Sequence, residues 1–254
     1  MNSRYILYIH LVINDMILLT LLTLFYVLSA TVFTINVSLC IILILIGFAA
    51  NLGNSMTLAI MAIECYIAVC FPLRHAQICT VKKTYIVISF IWLISALYLL
   101  PDVFIALVKE PLDFFHSQTF CARPYIFRHS QVAQKDTIFN ALLMVIMWLT
   151  LFYAYVRIVF TAKSASANSR KARNTVLLHS FQLMLSMLSY VYFAIYYGLV
   201  SLFPESVHAI RFALVILINV IPRLISPLVY GLRDKTFRKY LKQHLICAKV
   251  GLPG

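Results

Sequence analysis

Charged side chains are scarce in this chain. Only 11% of the 254 residues are charged and just eight are acidic, whereas 63% are hydrophobic. Soluble proteins are about 45–50% apolar on average, and a soluble domain of this length could not bury so much apolar surface. The composition therefore excludes an ordinary soluble domain.

The sequence also lacks the motifs of common catalytic centres. It contains no HExxH, no GxSxG and no phosphate-binding glycine loop, and its seven histidines are scattered. Metal-assisted, nucleophilic and nucleotide-hydrolysing chemistry each need such a set of residues. We therefore expect no enzymatic activity, no cofactor and no bound metal.

Long apolar runs dominate what is present. A membrane-spanning helix needs about 20 mostly apolar residues. Six segments qualify: about 5–30, 37–63, 84–108, 137–162, 175–203 and 208–230. The runs are continuously apolar rather than alternating, which favours helices over barrel strands. We predict an all-α, polytopic transmembrane helix bundle forming one domain over 1–254, with a short amphipathic helix at about 233–245.

The net charge of +13 can indicate a nucleic-acid partner or a membrane protein with basic cytoplasmic loops. The placement of the charges along the chain distinguishes the two. We take the uncharged loop 31–36 as external and alternate the spans from there. Fifteen of the 21 lysines and arginines then lie on the cytoplasmic side and five on the external side. Cytoplasmic loops are enriched in Lys and Arg, which predicts cytoplasmic termini. Attraction to anionic lipid explains the surplus, and no nucleic-acid partner is expected.

The cysteines agree with that orientation. Cys40 lies at the outer end of the second span, and Cys121 is the only cysteine in the long external loop 109–136. The other four lie at or beyond the cytoplasmic face, where thiols stay reduced. A Cys40–Cys121 disulfide is the favoured hypothesis, and two unpaired, packed cysteines are the alternative.

Several motifs resemble one protein family, in the same order along the chain. Residues 61–75, MAIECYIAVCFPLRH, resemble the end of the third helix of rhodopsin-like (class A) G-protein-coupled receptors, in particular odorant receptors. HLVINDMILL resembles the second helix, KARNTVLLH the start of the sixth, and PRLISPLVYGLRDKTFRKYL the seventh helix with its tail. Together these features look most like fish-type odorant receptors.

The resemblance implies a seven-helix chemosensory receptor of the plasma membrane with a cytoplasmic C-terminus. Such a receptor binds a small-molecule odorant between its helices and signals to a heterotrimeric G protein. No segment matches the family's first helix, which we expect to be absent from this sequence. A non-signalling receptor fragment and a six-span transporter or channel are the alternatives. Transporters usually contain internal repeats, and no convincing repeat relates 1–127 to 128–254.

The family register also implies a ligand cavity beneath the 109–136 loop, with the same Cys40–Cys121 pairing as its tether. Pockets of this kind are mostly apolar with a few polar groups. The register assigns seven residues to the lining of this cavity: Phe48, Asn51, Leu52, Ser186, Met187, Tyr190 and Asn219. Lipid contact or plain packing is the alternative for each of them.

Two ionisable residues lie inside apolar runs. Asp15 is ten residues into the first span, roughly 15 Å deep at about 1.5 Å per residue. A charge at that depth costs about 2.5–3.5 kcal/mol on insertion scales. The resemblance implies that Asp15 faces Arg223, with Asn54 and Ser226 beside them. We predict an Asp15–Arg223 ion pair where many relatives hold a sodium ion. Snorkelling of Arg223 to the interface is the alternative.

The resemblance also implies a set of residues near the cytoplasmic face that switch the receptor between its inactive and active states. In the family, an acidic residue restrains the arginine that contacts the G protein. Glu64 stands at the position of the acid, but Cys65 replaces the arginine. Coupling would then depend on other residues near the cytoplasmic face: Tyr66, Arg74, His75, Tyr155, Arg170, Lys171, Arg173, His179, Pro227 and Tyr230. A proline inside a helix removes a backbone hydrogen bond and can serve as a hinge.

Overall fold

Helices make up almost all of the chain that the structure describes. The computed structural model describes residues 3–32, 34–163, 192, 195–196 and 198–224. Four of the described helices are long and apolar enough to cross a membrane: Ser3–Leu28, Val37–Cys70, Val81–Lys109 and Ser130–Ile158. The prediction of a helical transmembrane bundle is confirmed.

The chain divides into two units, Met1–Tyr190 and Val191–Gly254. The elements of the first unit are α1 (Ser3–Thr31), β1 (Ile35–Asn36), α2 (Val37–Cys70), α3 (Pro72–Ile78), α4 (Val81–Lys109), α5 (Leu112–His116), β2 (Gln118–Thr119), α6 (Arg123–Ile126) and α7 (Ser130–Lys163). Helix α2 is central, because it packs against α1, α4 and α7. Its buried positions are therefore spread along its length, from Val37 to Cys65.

Local sequence explains where several of these helices begin. The side chain of Asn36 accepts a hydrogen bond of 2.9 Å from the backbone N–H of Ser38, at the start of α2. Thr80 caps α4 in the same way, through Lys83. Such caps satisfy N–H groups that have no partner within the helix. Pro72 lies in the first turn of α3, where its missing N–H removes no helical hydrogen bond.

Two membrane helices extend beyond the spans that the sequence predicts. Helix α2 continues to Cys70 rather than ending near residue 63, so Glu64 lies within the helix. The segment after Glu64 is still apolar, and Pro72 is the first residue that cannot continue the helix. Helix α7 begins at Ser130 rather than near 137. Its first turns contain Lys135 and Asp136, whose charges are paired with residues of other elements.

The chain between α4 and α7 covers one end of the first unit. We call this the outer end, after the predicted orientation, and the opposite end, near Cys70, the inner end. Strands β1 and β2 pair antiparallel at the outer end. A disulfide joins Cys40 of α2 to Cys121 of this connection, with Cα atoms 5.6 Å apart. The predicted disulfide is therefore present, and it attaches the loop to the central helix.

The described part of the second unit is also helical. A 3-10 turn at Pro204–Ser206 leads into an α-helix at Val207–Leu214. A π-helical segment follows at Val215–Val220, and the helix continues to residue 224. This helix is the start of the predicted span 208–230. Most of the predicted span 175–203 and the amphipathic helix at 233–245 lie outside the described residues.

Candidate functional sites at the two ends of the first unit

The intramembrane carboxylate has a polar partner. Asn54 donates a hydrogen bond of 2.8 Å from Nδ2 to Oδ1 of Asp15, and both side chains are buried. A buried carboxylate is costly without such donors. Arg223 belongs to the second unit and Ser226 lies outside the described residues. The Asp15–Arg223 ion pair stays a prediction.

Arg223 is engaged within its own helix. Its Nη1 donates to the backbone carbonyl of Asn219 at 2.6 Å and to the amide oxygen of the same residue at 3.4 Å. Because the two residues are one turn apart, the guanidinium covers a carbonyl of the preceding turn. Asn219, one of the residues assigned to the ligand cavity, is thus bonded to this arginine.

The structure describes about half of the predicted cavity lining. Phe48, Asn51 and Leu52 all lie on α2, where Leu52 is buried and the other two are partly buried. Ser186, Met187 and Tyr190 lie outside the described residues. The ring of Phe48 lies beneath the guanidinium of Arg123, with 4.2 Å between Cζ and the ring centroid.

Four charged residues meet next to Phe48, and we call them the outer charge cluster: Asp102 of α4, Arg123 of α6, and Lys135 and Asp136 of α7. Nη2 of Arg123 lies 2.6 Å from Oδ2 of Asp102. Nε and Nη2 of Arg123 also donate to the two carboxylate oxygens of Asp136, each at 2.9 Å. Lys135 pairs with Oδ1 of Asp102. The cluster thus links the covering loop to two membrane helices.

Aromatic and backbone groups complete the cluster. The Tyr98 hydroxyl donates to Oδ1 of Asp136 at 2.6 Å, and the backbone carbonyl of Tyr98 accepts from Lys135 at 2.7 Å. The Tyr98 ring stacks on Phe139, with ring centroids 4.2 Å apart. These contacts satisfy charged groups that are taken out of water, which is the condition for burying them.

The outer charge cluster was missed in the sequence analysis. Asp102 is fully buried, and the Arg123 side chain is only 9% exposed. The charge pattern of the sequence identifies Arg123 and Lys135 only as charges of an external loop. The available signal was Asp102, the only acidic residue in the predicted span 84–108. An ionisable residue inside a membrane span indicates a functional site. The same argument that applies to Asp15 therefore applies to Asp102.

A second ion pair lies on the surface of the same end. Nε and Nη2 of Arg128 donate to the two carboxylate oxygens of Glu110, at 3.1 and 2.9 Å. These hydrogen bonds lower the pKa of Glu110 below its ordinary value and raise the pKa of Arg128. Arg128 is exposed and the pair joins two loop residues, so it adds little to the buried cluster.

At the inner end, three residues from three elements form what we call the inner acid site: Arg4 of α1, Glu64 of α2 and His75 of α3. Oε2 of Glu64 lies 2.8 Å from Nε of Arg4, and Oε1 lies 3.2 Å from Nε2 of His75. The Glu64 side chain is only 5% exposed. The carboxylate of Glu64 is therefore paired with residues of neighbouring elements. The next residue in α2 is Cys65, which has no positive charge to offer it.

The remaining predicted switch residues are described only in part. Cys65 is buried with Ile158 of α7, and Tyr66 and Tyr155 pack against this pair. Arg74 is exposed on α3. The other six lie outside the described residues: Arg170, Lys171, Arg173, His179, Pro227 and Tyr230. In this chain Cys65 is a packing residue between α2 and α7.

Comparison with known proteins agrees with this architecture. Residues 1–230 match the model of the 7 transmembrane receptor (rhodopsin family). The chain is 32% identical to odorant receptor 131-2 of Danio rerio over 219 residues, covering 84% of this chain and 67% of the relative.

Two mammalian relatives are more distant. Olfactory receptor 4E2 of Mus musculus is 26% identical over 212 residues, covering 75% of this chain and 63% of the relative. Olfactory receptor 11H7 of Homo sapiens is 26% identical over 232 residues, covering 84% and 69%. The chain thus spans about two thirds of the length of the curated relatives it matches. By its family match and its similarity to these receptors, the chain belongs to the rhodopsin family of seven-transmembrane receptors, among the odorant receptors.

Proposed function

We propose that this chain is a plasma-membrane chemosensory receptor that binds a small molecule at its outer end and activates a heterotrimeric G protein at its inner end, with its C-terminus in the cytoplasm. The observation that carries the proposal is the course of α2. This one helix holds Cys40 and Phe48 at the outer end and Glu64 at the inner end. From Cys40 to Glu64 the rise is about 36 Å, at about 1.5 Å per residue.

Ligand binding would act by shifting a pre-existing equilibrium between two states of the bundle. A ligand can do this only if it binds the active state more tightly than the inactive one. Phe48 lies beside the outer charge cluster, so a ligand in this region would contact α2, α6 and α7 together. A small change in the packing of these elements is then passed along α2.

At the inner end, the proposed switch is the release of Glu64. The pairs with Arg4 and His75 attach α1 and α3 to α2 in the described state. When these pairs break, α3 and its exposed Arg74 become free to move towards a G protein. Coupling of this kind does not need an arginine at residue 65. The basic residues Arg170, Lys171 and Arg173 and the hinge at Pro227 are proposed to contribute as the family resemblance implies.

Nucleotide exchange on a purified G protein tests this function directly. The full chain in lipid nanodiscs is mixed with a heterotrimer and with a panel of small ketones, alcohols, carboxylic acids and amines. We expect at least one compound to accelerate exchange, and Arg74→Ala to reduce that acceleration about tenfold while leaving compound binding unchanged. The matched control is Arg128→Ala, which removes an exposed arginine from the outer end.

Two results contradict the proposal. One is a compound that binds the chain with no exchange on any heterotrimer tested. The other is compound-dependent ion flux in liposomes that contain the chain but no G protein, which would favour a channel or transporter.

A further inference from the structure

One edge of the Arg123 guanidinium has no acceptor in the part of the chain that is described. Nε and Nη2 use all of their N–H groups on the carboxylates of Asp102 and Asp136. Nη1 is buried, and no described atom accepts a hydrogen bond from it. Nη1 carries two of the five N–H donors of a guanidinium. Buried donors without acceptors are costly, so this edge is suited to an acceptor that the described residues do not supply, such as a ligand.

The carboxylates of the cluster are already occupied. Both oxygens of Asp136 and Oδ2 of Asp102 accept from Arg123, while Oδ1 of Asp102 is paired with Lys135. Oδ1 of Asp136 also accepts from the Tyr98 hydroxyl. The cluster therefore offers hydrogen-bond donors to a ligand and no free carboxylate oxygen. A ligand that binds through an ammonium would have to share a carboxylate oxygen that already accepts from Arg123 or Lys135.

The charge balance selects among acceptors. In their ionised forms, the two carboxylates and two cations of the outer charge cluster cancel. A ligand carboxylate would add an unbalanced negative charge to a buried site, which is expensive in a low dielectric. An uncharged oxygen would accept the Nη1 hydrogen bonds without changing the balance. The site is thus complementary to a neutral acceptor.

Apolar surface lies against the Arg123 guanidinium. The Arg123 guanidinium carbon is 4.2 Å from the ring centroid of Phe48 and 5.3 Å from that of Phe127. Phe48 is only partly buried by its neighbours. A ligand whose oxygen reaches Nη1 can therefore place its hydrocarbon part against the Phe48 ring, where burial of apolar surface adds affinity.

We propose that Nη1 of Arg123 recognises an uncharged carbonyl oxygen, so that the receptor binds neutral ketones, aldehydes or esters rather than the corresponding acids or amines. This rests on the proposed function as a small-molecule receptor. Arg123 is then the residue that determines the chemical class of the ligand. Phe48 contacts the apolar part of the same molecule.

The test compares probes of matched chain length on the full chain in nanodiscs. Dissociation constants for octan-2-one, octanoate, octylamine and oct-1-ene are measured by ligand-observed NMR. We expect octan-2-one to bind at least tenfold more tightly than octanoate or octylamine. Arg123→Lys keeps the positive charge and can still pair with both carboxylates, but loses the Nη1 donors. We expect it to weaken octan-2-one about tenfold and to leave oct-1-ene unchanged. Arg128→Lys, in the same loop, is the control and should change neither affinity.

A second measurement does not depend on a variant that folds. With octan-2-one labelled with carbon-13 at the carbonyl, a hydrogen bond from a guanidinium in the unaltered chain should move the carbonyl resonance downfield from its position in the hydrocarbon of empty nanodiscs. An unchanged resonance, or octanoate binding more tightly than the ketone, overturns the inference. If compounds from the panel bind and drive nucleotide exchange but none depends on Arg123, this inference is wrong and the receptor function stands. If no compound binds, the proposed function fails and the inference fails with it.

Discussion

The two ends of the first unit bury charge in different ways. At the outer end, two acids and two bases from α4, α6 and α7 pair with one another, and the loop that carries Arg123 is also attached by the Cys40–Cys121 disulfide. At the inner end, a single buried acid, Glu64, is paired with Arg4 and His75. The Arg4 side chain is 35% exposed, whereas the Arg123 side chain is 9% exposed.

This difference indicates different roles for the two ends. Asp102 and Arg123 of the outer charge cluster are buried and reach water only if the loop moves, so the cluster keeps the loop and the two helices in one arrangement. The partners of Glu64 can turn towards solvent with little loss, because long basic side chains readily reach water. The difference supports the proposed roles, in which the outer end binds the ligand with little movement and the contact at the inner end opens and closes.

The largest expected effect is the loss of the disulfide. Cys121→Ser opens the 81-residue loop that the disulfide closes, and chain-entropy estimates for a loop of this size are about 4.5 kcal/mol. We expect a large fall in the midpoint of thermal unfolding and in the amount of protein at the cell surface. Cys79→Ser, at a cysteine that is free, is the control. Equal midpoints for the two variants would show that the outer end does not depend on its covalent attachment.

The next effect is the unbalancing of the outer charge cluster. Asp102→Asn leaves Arg123 and Lys135 with one carboxylate between them, and breaking a buried pair costs about 3–5 kcal/mol. We expect a loss of unfolding free energy of about 3 kcal/mol, measured by chemical denaturation in detergent. Asp113→Asn, which changes an exposed acid of the same connection, should cost less than about 0.5 kcal/mol. A loss as small as that of the control would mean that the cluster is not a buried network.

The corresponding change at the inner end should affect activity more than stability. Glu64→Gln removes the charge that attaches Arg4 and His75, but the freed Arg4 can reach water. We expect a stability loss of about 1 kcal/mol or less and a several-fold rise in basal nucleotide exchange on the G protein. Arg4→Ala should raise basal exchange in the same direction. A stability loss equal to that of Asp102→Asn would remove the contrast between the two ends.

The smallest effect concerns the pair of Glu110 with the exposed Arg128 at the outer end. The pKa of Glu110 is lowered in the folded chain by its hydrogen bonds to Arg128. The pair therefore contributes stability above the ordinary pKa of a glutamate, and this contribution is lost as the pH falls below that value towards the lowered pKa. We expect the unfolding midpoint of Glu110→Gln to lie below that of the unaltered chain at pH 7, and the difference to disappear as the pH falls through the lowered pKa of Glu110. A difference that is the same at neutral pH and in strong acid would contradict this origin.

The sequence predicted the membrane helices better than it predicted the contacts between charged residues. The apolar runs predicted the membrane helices, and the position of Cys121 in a polar loop, opposite Cys40, predicted the disulfide. The early start of α7 was not predicted, since Lys135 and Asp136 read as loop residues until their partners are known. The inner acid site was also predicted only in part, because the sequence identifies Arg4 only as one of the cytoplasmic charges.

What the sequence by itself determined is the class of architecture and the family. A run of about 20 apolar residues has few alternatives in lipid, where the backbone must satisfy its own hydrogen bonds. Only the tertiary structure decided which charges neutralise one another. Asp102 and Arg123 are 21 residues apart, and Arg4 and Glu64 are 60 apart. Partners at such separations meet only through helix packing, which no local pattern encodes, and the unused edge of Arg123 becomes visible only once they have met.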